Sequence, residues 1–349
     1  MFFFFYAAGQ LINGIIGDRI NAKWMMCLGL FLAGVANYTF LRVIATRTVA
    51  MIAYGLMGLF LSMIYGPMTK VVSENTEPIH TTRCSLGYEF ASFLGSPMAG
   101  LLASFLVWET VIGFASIMLF LMALVGFTVF TVLERRKIVQ YNVYKAQAEE
   151  SDTASGGIKL LFKHQIVRYS IVSVLTGVVR TSVVFWLPTY ITQKLGFEAN
   201  EATGIFSIAT LVISLTAFIT VFIYEKLGHN MNKTVLIMFI SATVWFLLTY
   251  FVSLPVLNII FIVLAIMSSN GAATMMWSRY CPSLRDTGMV SSATGYLDFL
   301  SYMAAAVANI IFANAATTLG WDRLVLVWCA LMVVGIVTLL PFKRIFKRA

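Results

Sequence analysis

Apolar residues in this chain come in long runs, and short polar turns separate them. The runs lie at 2–16, 25–41, 49–72, 85–107, 109–133, 166–192, 202–224, 234–253, 256–278, 288–315 and 321–341. Most are long enough for a helix to cross a hydrocarbon layer about 30 Å thick, so the pattern predicts about eleven transmembrane helices. The first is the exception: 15 residues from Phe2 to Ile16 make roughly 22 Å of helix. All but one of the connections are short. Glu134–Lys163 is polar, carries Glu149, Glu150, Ser151 and Asp152, and cannot bury enough surface to fold alone. It reads as a linker, 134–165, between an N-terminal bundle of five helices (1–133) and a C-terminal bundle of six (166–349).

Composition agrees with that pattern. Of 349 residues 60% are apolar and 11% charged, with a mean hydropathy of +0.87, whereas soluble domains carry about 25% charged residues. The net charge of +9 follows from where the basic residues sit and implies no nucleic-acid partner. Nineteen fall in one set of alternating loops and the C-terminus. Arg42, Arg47, Lys194 and Arg323 fall in the other set, and Arg180 lies inside a span. The richer set belongs in the cytoplasm, which places the linker and the C-terminus there. Cys27, Cys84, Cys281 and Cys329 are scattered without a C-x-x-C spacing, and His80, His164 and His229 fall in expected loops. Neither a metal site nor a cofactor is indicated.

The first polar turn is the most informative stretch. Gly14, Asp18, Arg19 and Lys23 follow G-x-x-x-D-R-x-x-x-K. Gly14 and Asp18, four apart, share a helix face. The glycine admits a close neighbouring helix, and the aspartate can accept from a helix N-terminus or from the basic residues of its own turn. Asn21 is expected to supply a left-handed turn conformation. Glu225, Lys226, Leu227, Gly228 and Lys233 form a weak echo in the second half.

This turn resembles the loop signature between the second and third helices of the major facilitator superfamily. Asp18, Arg19, Asn21 and Lys23 resemble its organophosphate:phosphate antiporter branch. The resemblance implies an all-α membrane fold of two bundles, and a chain that here lacks the family's first helix.

Arg180 is the sharpest single position. It lies twelve residues past Arg168, about 18 Å along a helix and near the bilayer midplane. An arginine at that depth is costly and by default lines a polar cavity. Arg180, Trp186, Pro188, Thr189 and Tyr190 read R-x5-W-x-P-T-Y, similar to the seventh helix of glycerol-phosphate and hexose-phosphate antiporters. The resemblance implies that Arg180 binds substrate phosphate. An arginine buried only to pair with an acid is the other reading. Asp298, twelve residues past Asp286, has similar depth. The family places both helices on one cavity, so the two residues are candidates to meet. Asp298 is open to three roles: proton coupling, ligand contact, or counterion.

Other positions follow the branch only in part. Gln10 stands where it has a basic residue, Ala91 near its histidine, and Asn270 near a tyrosine, while Tyr302 matches a second tyrosine. These departures argue against glycerol 3-phosphate itself. Glu89 is expected near the cytoplasmic interface, and Lys70 as an interface anchor or gate contact.

The expected protein is therefore not an enzyme. It is a secondary active transporter in the plasma membrane, monomeric, moving a small anionic metabolite, phosphorylated in the branch it resembles. Conformational roles fall to Gly14, Asp18, Arg19 and Lys23. Arg180, Asp298, Tyr302, Gln10 and Asn270 form the candidate substrate set. Coupling is by phosphate exchange or by protons. A receptor of the same fold that binds a sugar phosphate and signals is the alternative.

Overall fold

The computed structural model describes residues 1–142 and 156–340. Its main helices are α1 Phe2–Gly17, α2 Ala22–Val43, α3 Arg47–Asn75, α4 Pro78–Phe105 and α5 Trp108–Arg135, then the short α6 Gly156–Lys163. They continue with α7 Ile166–Gln193, α8 Ala199–Ser214, α9 Thr216–Lys226, α10 Met231–Phe251 and α11 Pro255–Met275. A π turn, Met276–Tyr280, and two short turns lead into α12 Val290–Thr318 and α13 Trp321–Leu339. All eleven expected spans fall on helices, the seventh of them on α8 and α9 together. The middle of the expected linker, 143–155, and the basic tail, 341–349, lie outside the described residues.

Among the described residues, nine helices are long and apolar enough to cross a bilayer. Of the other two expected spans, α1 is a shorter apolar helix. The second, α4, begins earlier than its apolar run, at Pro78, and takes in His80 and Arg83 before Glu89.

By spatial contact the chain divides into two compact units. Unit 1 is Met1–Gly87, Met98–Ile166 and Trp277–Ala306; unit 2 is Tyr88–Pro97, Val167–Met276 and Val307–Ala349. The first half of α12 thus packs with α1 and α3, and the middle of α4 packs with the later helices. Phe90 of α4 meets Phe218 of α9 with ring centroids 4.9 Å apart.

Small and amide side chains set the close spacings inside unit 1. A side chain on Gly29 of α2 would stand 2.8 Å from Met63 Cβ and 2.9 Å from the Phe60 carbonyl of α3. Asn13 Nδ2 of α1 donates to Ser62 Oγ of α3 at 2.7 Å, and Asn37 Nδ2 of α2 to Ser116 Oγ of α5 at 3.1 Å. In lipid the apolar effect gives little drive between helices, so close backbone approach and such bonds hold them. Unit 2 uses the same means: Trp328 Nε1 of α13 donates to Ser182 Oγ of α7 at 3.0 Å.

Candidate functional site

Asp18 opens the first polar turn, at the end of α1, and is 6% exposed. Its Oδ1 accepts the Ser291 amide at 3.0 Å and its Oδ2 accepts the Ser292 amide at 2.8 Å. Those amides belong to the first turn of α12, where no intrahelical acceptor exists and the dipole is positive. A carboxylate there satisfies two orphan donors at once. Burial nevertheless pushes the Asp18 carboxyl above its ordinary range, opposed by the hydrogen bonds from Ser292 and Ser291 and by the Lys70 charge.

From this cap a seam runs between α1 and α12, antiparallel. A side chain on Gly14 would stand 2.9 Å from the Ser291 carbonyl and 3.1 Å from Gly295 Cα. One on Gly295 would collide with the Gln10 carbonyl. Farther along, Tyr6 meets Tyr302 edge-on at 4.7 Å between ring centroids. Tyr6, Gln10 and Gly14 recur at four-residue spacing, and Ser291, Gly295, Asp298 and Tyr302 at four, three and four, so each set shares one face. Unit 1 thereby brings Gln10, Asp298 and Tyr302 onto a single seam. Gln10 is fully buried, and among the described residues neither its Oε1 nor its Nε2 has a hydrogen-bond partner. Asp298 is 4% exposed.

Arg180 and Asn270 lie in unit 2. The two helices that carry them are fastened at one end, where Tyr190 Oη of α7 donates to Asn258 Oδ1 of α11 at 2.6 Å. From that bond Arg180 is ten residues back along α7 and Asn270 twelve residues on along α11, about 15 Å and about 18 Å of helix. The antiparallel pair holds them at similar depth. Arg180 is half-buried, and Asn270 is buried with its Oδ1 unpartnered among the described residues. Buried amides of this kind present polar atoms to whatever occupies the space beside them.

The sequence model of the Major Facilitator Superfamily matches residues 1–309. The chain belongs to that superfamily. It is therefore a multi-pass membrane protein of a transporter family. A glycerol-3-phosphate transporter of Bacillus subtilis (strain 168) is 22% identical over 219 aligned positions, taking in 56% of this chain and 49% of that one. The match thus spans about half the length of that relative. Among solved structures, the superfamily transporter FucP in its outward conformation superposes with a TM-score of 0.70 at 13% identity, over 97% of this chain and 87% of that one. A bacterial homologue of the iron transporter ferroportin, outward-facing, gives 0.66 at 14%, over 97% and 88%. These likenesses establish the fold.

Several functional contacts of this superfamily member escaped the sequence. Lys70 is no exposed anchor: it is 4% exposed, and its Nζ donates to the carbonyls of Gly17 and Asp18, both at 3.2 Å, and to Asn142 Oδ1 at 2.6 Å. It braces the charged turn from α3. Lys23 pairs with Glu134, so that turn is also tied to the end of α5. Arg19 alone of the motif is exposed. Asn21 is extended, φ −61° and ψ 124°, rather than left-handed; its side chain caps α2 by accepting the Lys23 amide at 3.0 Å. In the second half Asn230 caps α10 by accepting the Lys233 amide at 3.0 Å, so the echo is one of helix caps. Glu89 is 3% exposed and does not reach out from the protein interior. His80 lies in the first turn of α4, not in a loop.

Proposed function

We propose that this protein is a secondary active transporter of a small anionic metabolite of the organophosphate class. It works by alternating access, either exchanging its substrate for phosphate or moving it with protons. The observation that carries the reading is Arg180: a permanently charged, half-buried guanidinium deep in α7. Its planar fork matches two oxygens of a phosphoryl group, which a lysine cannot do. Asn270, at similar depth in the same unit, supplies a polar ligand atom. The Bacillus relative, named for glycerol 3-phosphate, supports the same substrate class. Gln10 and Asn270 in place of a basic residue and a tyrosine argue for a different member of that class.

The Asp18 cap on α12 is the latch of one conformation in this reading. The protein sits in the plasma membrane as a monomer, with the linker and the C-terminus cytoplasmic, on the strength of the basic-residue asymmetry. Proteoliposomes loaded with labelled phosphate test it. Release on adding a panel of external sugar and polyol phosphates, or their uptake under an inward proton gradient, is the expected result. Neither flux, with protein correctly inserted, overturns it.

A further inference from the structure

We propose a second anion site on unit 1, apart from Arg180: a pocket for one phosphoryl group between the start of α4 and the segment that leads into α12. The cavity is about 190 Å³ and is lined by Thr81, Arg279, Pro282, Ser283, Arg285 and Asp286. Two arginines line one small polar space, and their planar guanidiniums suit a tetrahedral oxyanion, while the hydroxyl protons of Thr81 and Ser283 are already given to the carbonyls of Glu77 and Tyr280. The frame is rigid. Arg279 lies in the π turn Met276–Tyr280, Arg285 opens the 3-10 turn Arg285–Thr287, and Gly288 follows at φ 66°. Thr81 Oγ1 is held by the Glu77 carbonyl and by Thr76 Oγ1, each at 2.9 Å, and Arg285 Nη1 donates to the Thr76 carbonyl at 3.5 Å. Ser283 Oγ donates to the Tyr280 carbonyl at 2.6 Å.

Charge favours an anion although one acid is present. Arg285 Nε stands 3.7 Å from Asp286 Oδ1, a long contact with an exposed carboxylate that screening weakens. The lining keeps a net positive charge of one, from two arginines and one aspartate. Beside it, α6 packs against the Arg285–Thr287 turn with Lys159 and Lys163 exposed, adding to the positive field. Phe162 on the same short helix is 62% exposed, and Tyr280 Oη donates to the His164 carbonyl just beyond it. Basic and apolar side chains together on a short helix suit the headgroup layer of a membrane. The same phosphoryl chemistry is offered by an anionic lipid headgroup and by free phosphate.

Two probes distinguish these sources: phosphatidylglycerol, retained on the detergent-solubilised full chain and counted by native mass spectrometry, and inorganic phosphate, titrated calorimetrically. The titration uses an Arg180→Gln background, so that binding at the transport site does not contribute. Either probe should bind at one site and weaken at least about tenfold in Arg279→Gln/Arg285→Gln, the loss of two charge-assisted contacts. Arg279→Lys/Arg285→Lys keeps the charge and guards against misfolding; it should bind more weakly than the parent. Arg42→Gln, which removes one positive charge elsewhere, should change nothing. Retention of phosphatidylglycerol alone assigns a lipid site, and binding of phosphate alone assigns a soluble anion. Binding of neither probe by the parent, or undiminished binding by both double variants, overturns the proposal.

Discussion

Asp18 accepts the backbone amide of Ser292 at 2.8 Å, joining the turn after α1 to the first turn of a helix 274 residues later. Burial raises the Asp18 pKa, so this state binds a proton more tightly than the unfolded chain. The sign follows. The contribution of Asp18 to stability is full below the ordinary carboxylate pKa of about 3.9 and is lost as pH rises through the raised value. Asp18→Asn keeps an acceptor and removes the titration. The unfolding temperature of the parent minus that of the variant should therefore fall as pH rises above about 4. A constant difference across that range contradicts the assignment.

The α1–α12 seam closes only because Gly295 carries no side chain. Gly295→Ala should force the backbones apart and cut transport by more than about tenfold, with insertion preserved, since interior overpacking typically costs about 1–3 kcal/mol. Gly204→Ala on α8, where a methyl group meets nothing within 4 Å, is the matched control and should transport normally. Equal flux in the two variants would show that the seam does not matter to the cycle.

Gln10 presents a different balance. A fully buried amide with both polar atoms unpartnered among the described residues is a cost to the fold, about 1–3 kcal/mol for an unsatisfied group. Gln10→Met keeps the length and removes that cost, so the unfolding temperature should hold or rise. If Gln10 touches substrate, the same variant should raise the apparent KM. Unchanged kinetics with raised stability would leave Gln10 out of the substrate set.

Much of this was legible from the chain, for identifiable reasons. Helices in lipid must satisfy their own backbone, so runs of apolar residues report them directly. Gly14 and Asp18 pointed to a close helix and to an acceptor for either a helix N-terminus or the basic residues of the same turn. They did not say which helix, because Ser291 and Ser292 lie 273 and 274 residues from Asp18 and nothing local marks them. Lys70 looked like an interface residue because a lysine ending an apolar run usually reaches water. Its burial is offset by acceptors that include Gly17, Asp18 and Asn142, which come together only in the fold. Asn21 was misread for a simpler reason: an asparagine before a helix serves as a cap as readily as a left-handed residue. Nor does helical periodicity register the π turn at Met276–Tyr280, which sets Arg279 in its pocket.

The central claim is that Arg180 binds an anionic substrate, and transport by Arg180→Lys tests it most directly. Lysine keeps the positive charge but replaces the planar fork with a single ammonium. Parent and variant are reconstituted at equal density and assayed for organophosphate flux, driven by internal phosphate or by an inward proton gradient. The account predicts strong flux in the parent and a loss of at least about tenfold in the variant, at unchanged protein level and unfolding temperature. Flux in Arg180→Lys equal to the parent's would contradict it, and would leave the substrate assignment without its main support.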